Sequence, residues 1–192
     1  MLIHSLNDKA SHHFTFRDLI ECGDTVETLQ LFNIPKQAKT WLALSQLASQ
    51  ILDPVVEQFG PITLSYGFCS PELARKIAKN RHPHIAPSLD QHCSHEVNQN
   101  QKIICERRGA ASDFTVNDKS FDMQQVGVWI CRNLTFDRLY YYGKTSPIHI
   151  SYGPDMNQFV QLMKSNLLTN QRVPSLKGRM DKATHIIEHA TF

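Results

Sequence analysis

The stretch Pro147-Ile148-His149-Ile150-Ser151-Tyr152 decides how the chain is read. Ile148, Ile150 and Tyr152 alternate with His149 and Ser151, the two-residue period of a β-strand, which puts the histidine and the serine on one face. Upstream, Ala111-Ser112-Asp113-Phe114-Thr115-Val116 has the same period, with Ala111, Asp113 and Thr115 opposite Ser112, Phe114 and Val116. An aspartate in mid-strand is disfavoured unless something pairs with it. Neighbouring strands would turn Asp113 and His149 into one cavity, where a loop histidine would complete three ligands with an open position, the pattern of a catalytic metal. An edge-strand aspartate beside a half-exposed histidine fits the same pattern without an ion.

Outward from these strands, Ile62 to Tyr66 and Leu139 to Tyr142 also alternate, and a helix is expected from Ser120 to about Asn133. Ser70 caps a helix that Pro71 opens and that runs to about Lys79. Between Pro35 and Phe59, apolar residues from Trp41 to Val56 recur at helical spacing, with a kink or restart expected at Asp53-Pro54. Near the start, Phe14 to Ile20 reads as a short helix with Thr15 as N-cap. Residues 80–105, polar and holding four of the ten histidines, read as a long surface loop. After Gly153-Pro154, the residues Met156, Phe159, Val160, Met163 and Leu167 predict a helix. The expected class is α+β, a small antiparallel sheet flanked by helices. One domain spans 1–169 with a long loop at 80–108, followed by a loosely attached polar tail at 170–192.

Composition narrows the function. The 192 residues carry 20 Lys+Arg against 18 Asp+Glu, a net charge of +2 that argues against charge-driven binding to nucleic acid or a membrane surface. No apolar run approaches the roughly 20 residues of a membrane helix. The first residues show no basic stretch leading into an apolar one, so no secretory signal is expected. Five scattered cysteines read as reduced thiols, which points to the cytoplasm.

Three segments resemble one family, the zinc D-alanyl-D-alanine carboxypeptidases (the M15 peptidases). Ile62 to Pro71 (ITLSYGFCSP) is similar to its SGYRSP segment, Gly109 to Phe114 to its GxAxDF strand, and Pro147 to Tyr152 to its WxHxSY strand. Phe14 to Thr25 and the long helix after it look like the lead-in of phage-type members, so the likeness covers roughly residues 14 to 160 in order. It implies a Hedgehog/DD-peptidase-like fold and a zinc ion held by Asp113, His149 and a loop histidine. The implied reaction is hydrolysis of a peptide or small amide of cell-wall type, inside the cell or after phage-type lysis.

The chain departs from the family at three places. The family's first histidine precedes the Gly by three residues, where Glu106 stands here; the nearest Gln-His pair is Gln91-His92. His92 is therefore read as the first ligand, with an insertion from Cys93 to Glu106, and His95 and Glu106 are the alternatives. Ser146 occupies the place of the family's general base, leaving Glu106, Asp90 or Glu96 to take the proton. Cys69 replaces an arginine expected to hold a substrate carboxylate. Ser70, Ser146 and Tyr142 are read as substrate-binding positions. These departures also suit a non-catalytic binding module on the same fold, or a hydrolase with an unrelated substrate.

Two further groups could ligate metal. Cys69, Cys93, His95 and Cys105 could form a structural zinc site, although Cys93 and His95 are spaced too closely for the usual ligand pair. The string His185-Ile186-Ile187-Glu188-His189 fits H-x-x-E-H, but with little chain after it to supply a further ligand it is read as a chance helix face.

Overall fold

The structure is a computed structural model describing residues 4–23, 33–80, 85–166 and 171–191. Thr25, His82, His84 and Leu167, which enter the sequence reading, lie outside the described residues. Its elements in chain order begin with α1 (Phe16–Ile20) and α2 (Ala38–Leu47). A π-helical turn (Ala48–Leu52) continues α2 into α3 (Asp53–Phe59), and β1 (Ile62–Tyr66) and α4 (Pro71–Ile77) follow. Next come β2 (Ala110–Val116), α5 (Met123–Asn133), β3 (Arg138–Tyr141) and β4 (Ile148–Tyr152). The chain closes with β5 (Phe159–Ser165), β6 (Arg172–Arg179) and α6 (Asp181–Glu188).

The class is α+β. Six strands form one sheet in the order β1-β2-β4-β3-β5-β6, and every pairing is antiparallel except that of β3 with β5. Local signals set most helix starts. Thr15 and Asp122 each close a capping box, and Ser70 caps α4 by accepting the Leu73 N–H ahead of Pro71. The expected break at Asp53-Pro54 is absorbed by the π-helical turn, so the helical path continues with Ile51, Leu52 and Val55 fully buried.

One sheet face carries Phe114, Ile148, Ile150, Leu139, Tyr141, Val160 and Leu162, all buried in the main core. The α2 helix packs against β2 and β4. Gly127 of α5 sits where a Cβ would meet the side chains of Ile148 and Ile187, which brings α5 and α6 together over the sheet. The register then leaves Asp113, His149, Tyr140 and Gln161 in one cross-strand row on the opposite face.

Three expectations are corrected. The helix predicted after Pro154 is strand β5: Val160 and Leu162 pair with Leu139 and Tyr141 on the core face, so the apolar residues serve a two-residue period. The segment expected as a loose tail supplies β6 and α6, with Ala183 and Ile187 buried. The long loop is only partly a surface loop over its described part, with residues 98–103 exposed. Gln91, His92, Cys93, Ser94, Glu96 and Cys105 are buried within it.

These buried polar groups find their partners inside the protein. Gln91 donates to the Arg108 carbonyl (2.8 Å) and to Asp137 (3.0 Å), and it accepts from Ser151 (2.8 Å). Ser94 donates to the Gly109 carbonyl, and one Glu96 oxygen accepts from the Lys36 and Gln37 N–H groups and the Thr40 hydroxyl at the start of α2. The segment is thereby fastened over the polar face of the sheet.

Candidate metal centre

Asp113 and His149 are direct cross-strand partners in the β2–β4 ladder, and Nδ1 of His149 lies 2.8 Å from Oδ1 of Asp113. The fastened loop adds His92, whose Nε2 is 3.1 Å from His149 Nδ1 and 3.3 Å from Asp113 Oδ1. Donor atoms about 2.0–2.1 Å from a tetrahedral ion stand about 3.3 Å apart. The three separations approach that value, so His92, Asp113 and His149 form a group able to hold a metal ion.

The surroundings fix how each ligand presents itself. The Gly67 carbonyl can only accept, so His92 donates to it through Nδ1 (2.8 Å) and turns Nε2 toward the site. The Cys69 N–H donates to the His92 carbonyl at 3.0 Å, tying the loop backbone to the turn after β1. For His149, Nδ1 faces the site, while its buried Nε2 has no partner among the described residues. Both histidines are 3% exposed in their side chains and Asp113 is 20% exposed, so the group opens to solvent beside the carboxylate.

The charges inside this nest are coupled. Burial works against a charged His92, but the carboxylate of Asp113 outweighs it and lifts the histidine's pKa to about 9. Burial likewise opposes a charged Asp113, and the neighbouring histidines overcome it and hold the carboxyl below its usual range. Metal binding must therefore displace a firmly held proton from His92.

No family model matches this chain, and no curated protein or solved structure shows significant similarity to it. The site therefore has to be read from its own chemistry.

The other sequence candidates are distributed around or away from this group. His95 lies in a separate cavity with Gln37, Lys39 and Arg108, where burial and those cations lower its pKa. Glu106 is exposed and is not among the clustered ligands. Glu96 is committed to the start of α2. Asp90 is the acid whose charge reaches His92, and it accepts from the Ala86 N–H at 2.8 Å. Ser70 is used as the buried cap of α4. Ser146 and Tyr142 line one cavity with Lys144, Glu188 and His189. Burial and the Asp113 charge push the Tyr142 phenol above its ordinary range. Among the described residues, Cys69, Cys93, His95 and Cys105 form no metal-ligand group, and no cysteine is in a disulfide.

Two aromatic walls and a cation were not anticipated. The Tyr140 ring stacks on His149 at 4.6 Å and 12°, and the Tyr66 ring meets His92 edge-on at 4.4 Å. A register shift between Leu64 and Tyr66 places Tyr66 opposite Asp113. Arg107 donates to the Tyr140 hydroxyl at 3.1 Å, bringing a positive charge to the rim. Tyr140 was legible in principle, since strand parity puts it on the His149 face; the Tyr66 shift and the Arg107 contact have no local signal.

Proposed function

We propose that the chain is a zinc-dependent metallohydrolase that cleaves an amide, with His92, Asp113 and His149 as ligands and a peptidoglycan-type peptide as the substrate class. The observation that carries this reading is the convergence of three ligand atoms from two paired strands and a fastened loop. Two imidazoles and one carboxylate suit zinc, and three protein ligands leave a position for reaction. The three family-like segments in matching order support the choice of an amide, and with it a Hedgehog/DD-peptidase-like scaffold.

When bound, zinc supplies Lewis acidity that polarises a carbonyl and lowers the pKa of water toward about 7. The protein's own groups do the rest. Tyr66 and Tyr140 wall the two histidines and restrict water to the Asp113 side. Asp90 takes the proton in this reading, because its charge already acts on His92 while Glu96 is directed to the start of α2. Arg107, held on the Tyr140 hydroxyl, offers a cation to an anionic group of the substrate.

Ser146 and Cys69, in place of the family's glutamate and arginine, favour a second reading, a zinc-holding module that binds without turnover. Elemental analysis with a panel of cell-wall peptides separates the two. The enzyme reading expects about one tightly held zinc per chain and turnover that Asp90→Asn removes while zinc stays bound. Tightly bound zinc without turnover of any amide leaves the binding module. Absence of tight zinc after metal incubation and desalting overturns both.

A further inference from the structure

We propose that His185, Glu188 and His189 form a second metal site, at the end of α6, for a divalent transition ion. Their ligand atoms all lie within 4.8 Å of one another, and the two imidazole centroids are 4.1 Å apart. Helical spacing explains the grouping, since residues three and four apart share one face. Glu188 is itself the third ligand, so the group is complete within α6 and its C-cap.

The hydrogen bonding of His189 points to a ligand as well. Nδ1 of His189 lies 2.9 Å from the His185 carbonyl, which can only accept, so the ring donates through Nδ1 and leaves Nε2 as the ligand atom. His92 is oriented in the same way by the Gly67 carbonyl. A histidine whose second nitrogen is so engaged is oriented as a metal ligand. Glu188 meets Arg132 through Oε1, which orients its carboxylate and leaves Oε2 for an ion.

The three ligands stand on an anchored end of the helix. Ile187 is fully buried between them, and Gln124 donates to the carbonyls of Ile187 (2.7 Å) and Glu188 (3.2 Å). Two nitrogens and one carboxylate select zinc, copper or nickel over calcium or magnesium, which prefer all-oxygen sites. All three residues are exposed, so water completes the coordination and the affinity is lower than that of a buried nest. Glu188 and His189 also line the cavity shared with Tyr142 and Ser146, so an ion here occupies its outer wall.

Zinc titration of the full chain by calorimetry, with zinc as the sole added ligand, tests the assignment on the parent, His185→Ala, His189→Ala and Asp113→Asn. Two binding events are expected, and either histidine variant should weaken the lower-affinity event at least tenfold and leave the other unchanged. Asp113→Asn should do the reverse, so loss of the tight event in the parent would count against the proposed function alone. Far-UV circular dichroism checks that α6 remains folded in each variant. A parent lacking the weaker event, or weak binding that persists unchanged in both histidine variants, overturns the second site.

Discussion

Nδ1 of His149 and Oδ1 of Asp113 stand 2.8 Å apart because their residues face each other across two antiparallel strands. The sheet itself therefore sets two of the three ligands, and only His92 depends on how the loop folds. Replacing Asp113 by Asn or His149 by Ala should abolish tight, stoichiometric metal and leave the far-UV spectrum nearly unchanged. The loss in stability should be about 1–3 kcal/mol, the cost of leaving a buried polar partner unmatched. Full metal retention in both variants would remove the site assignment.

Glu96 ties the loop to α2 through three bonds on one oxygen, to the Lys36 and Gln37 N–H groups and the Thr40 hydroxyl. Glu96→Ala leaves the buried Thr40 hydroxyl and two part-buried N–H groups without this partner and should cost about 2–3 kcal/mol in urea unfolding. Metal affinity should fall as well, since His92 belongs to the segment that Glu96 secures.

In the chelated protein, the raised His92 pKa makes a contribution to stability that is complete below about 6.5 and is lost as pH climbs through about 9. The depressed Asp113 pKa contributes above about 4 and is lost as pH falls further. Denaturant midpoints without metal should therefore decline between pH 6.5 and 9. With zinc in place of the His92 proton that alkaline decline should vanish. Parallel profiles with and without zinc would contradict the assignment.

Gly109 and Gly60 provide a contrast in one substitution. At Gly109 (φ +72°) an added Cβ would lie 2.2 Å from the Tyr152 carbonyl oxygen and 2.5 Å from the Gly153 Cα, where β2 begins. At Gly60 (φ +78°) nothing lies within 4 Å. Gly60→Ala should cost about 1–3 kcal/mol from backbone strain alone, since its ψ of −166° completes a conformation nearly restricted to glycine. Gly109→Ala adds a backbone clash to its strain and should cost clearly more than Gly60→Ala, above about 3 kcal/mol, or prevent soluble expression, because the backbone of β4 cannot give way.

Strand periodicity made the centre of the sheet legible, since two paired strands with regular alternation leave little freedom for Asp113 and His149. The β5 segment misled because Met156, Phe159, Val160 and Met163 satisfy helical spacing, and a short apolar run cannot by itself tell the periods apart. What settles it is pairing with β3, a long-range fact. Strand β6 has no clear apolar pattern because it is an exposed edge, with Val173 at 45% and Leu176 at 62% exposure. The loop looked like surface because its residues are polar; Gln91, Ser94 and Glu96 are buried only by virtue of distant partners.

That loop also bears on the thermodynamics of metal capture. Gln91 and Ser94 hold left-handed backbone angles of +61° and +50° on either side of His92, locked by bonds to Asp137, Ser151, Arg108 and Gly109. The entropy of ordering the first ligand is thus spent during folding rather than at the encounter with the ion. Capture should proceed with a small heat-capacity change, an enthalpy nearly flat with temperature, and none of the signature of coupled folding. The nest would then discriminate among ions by size and geometry, since it cannot readily reshape itself around a poor fit.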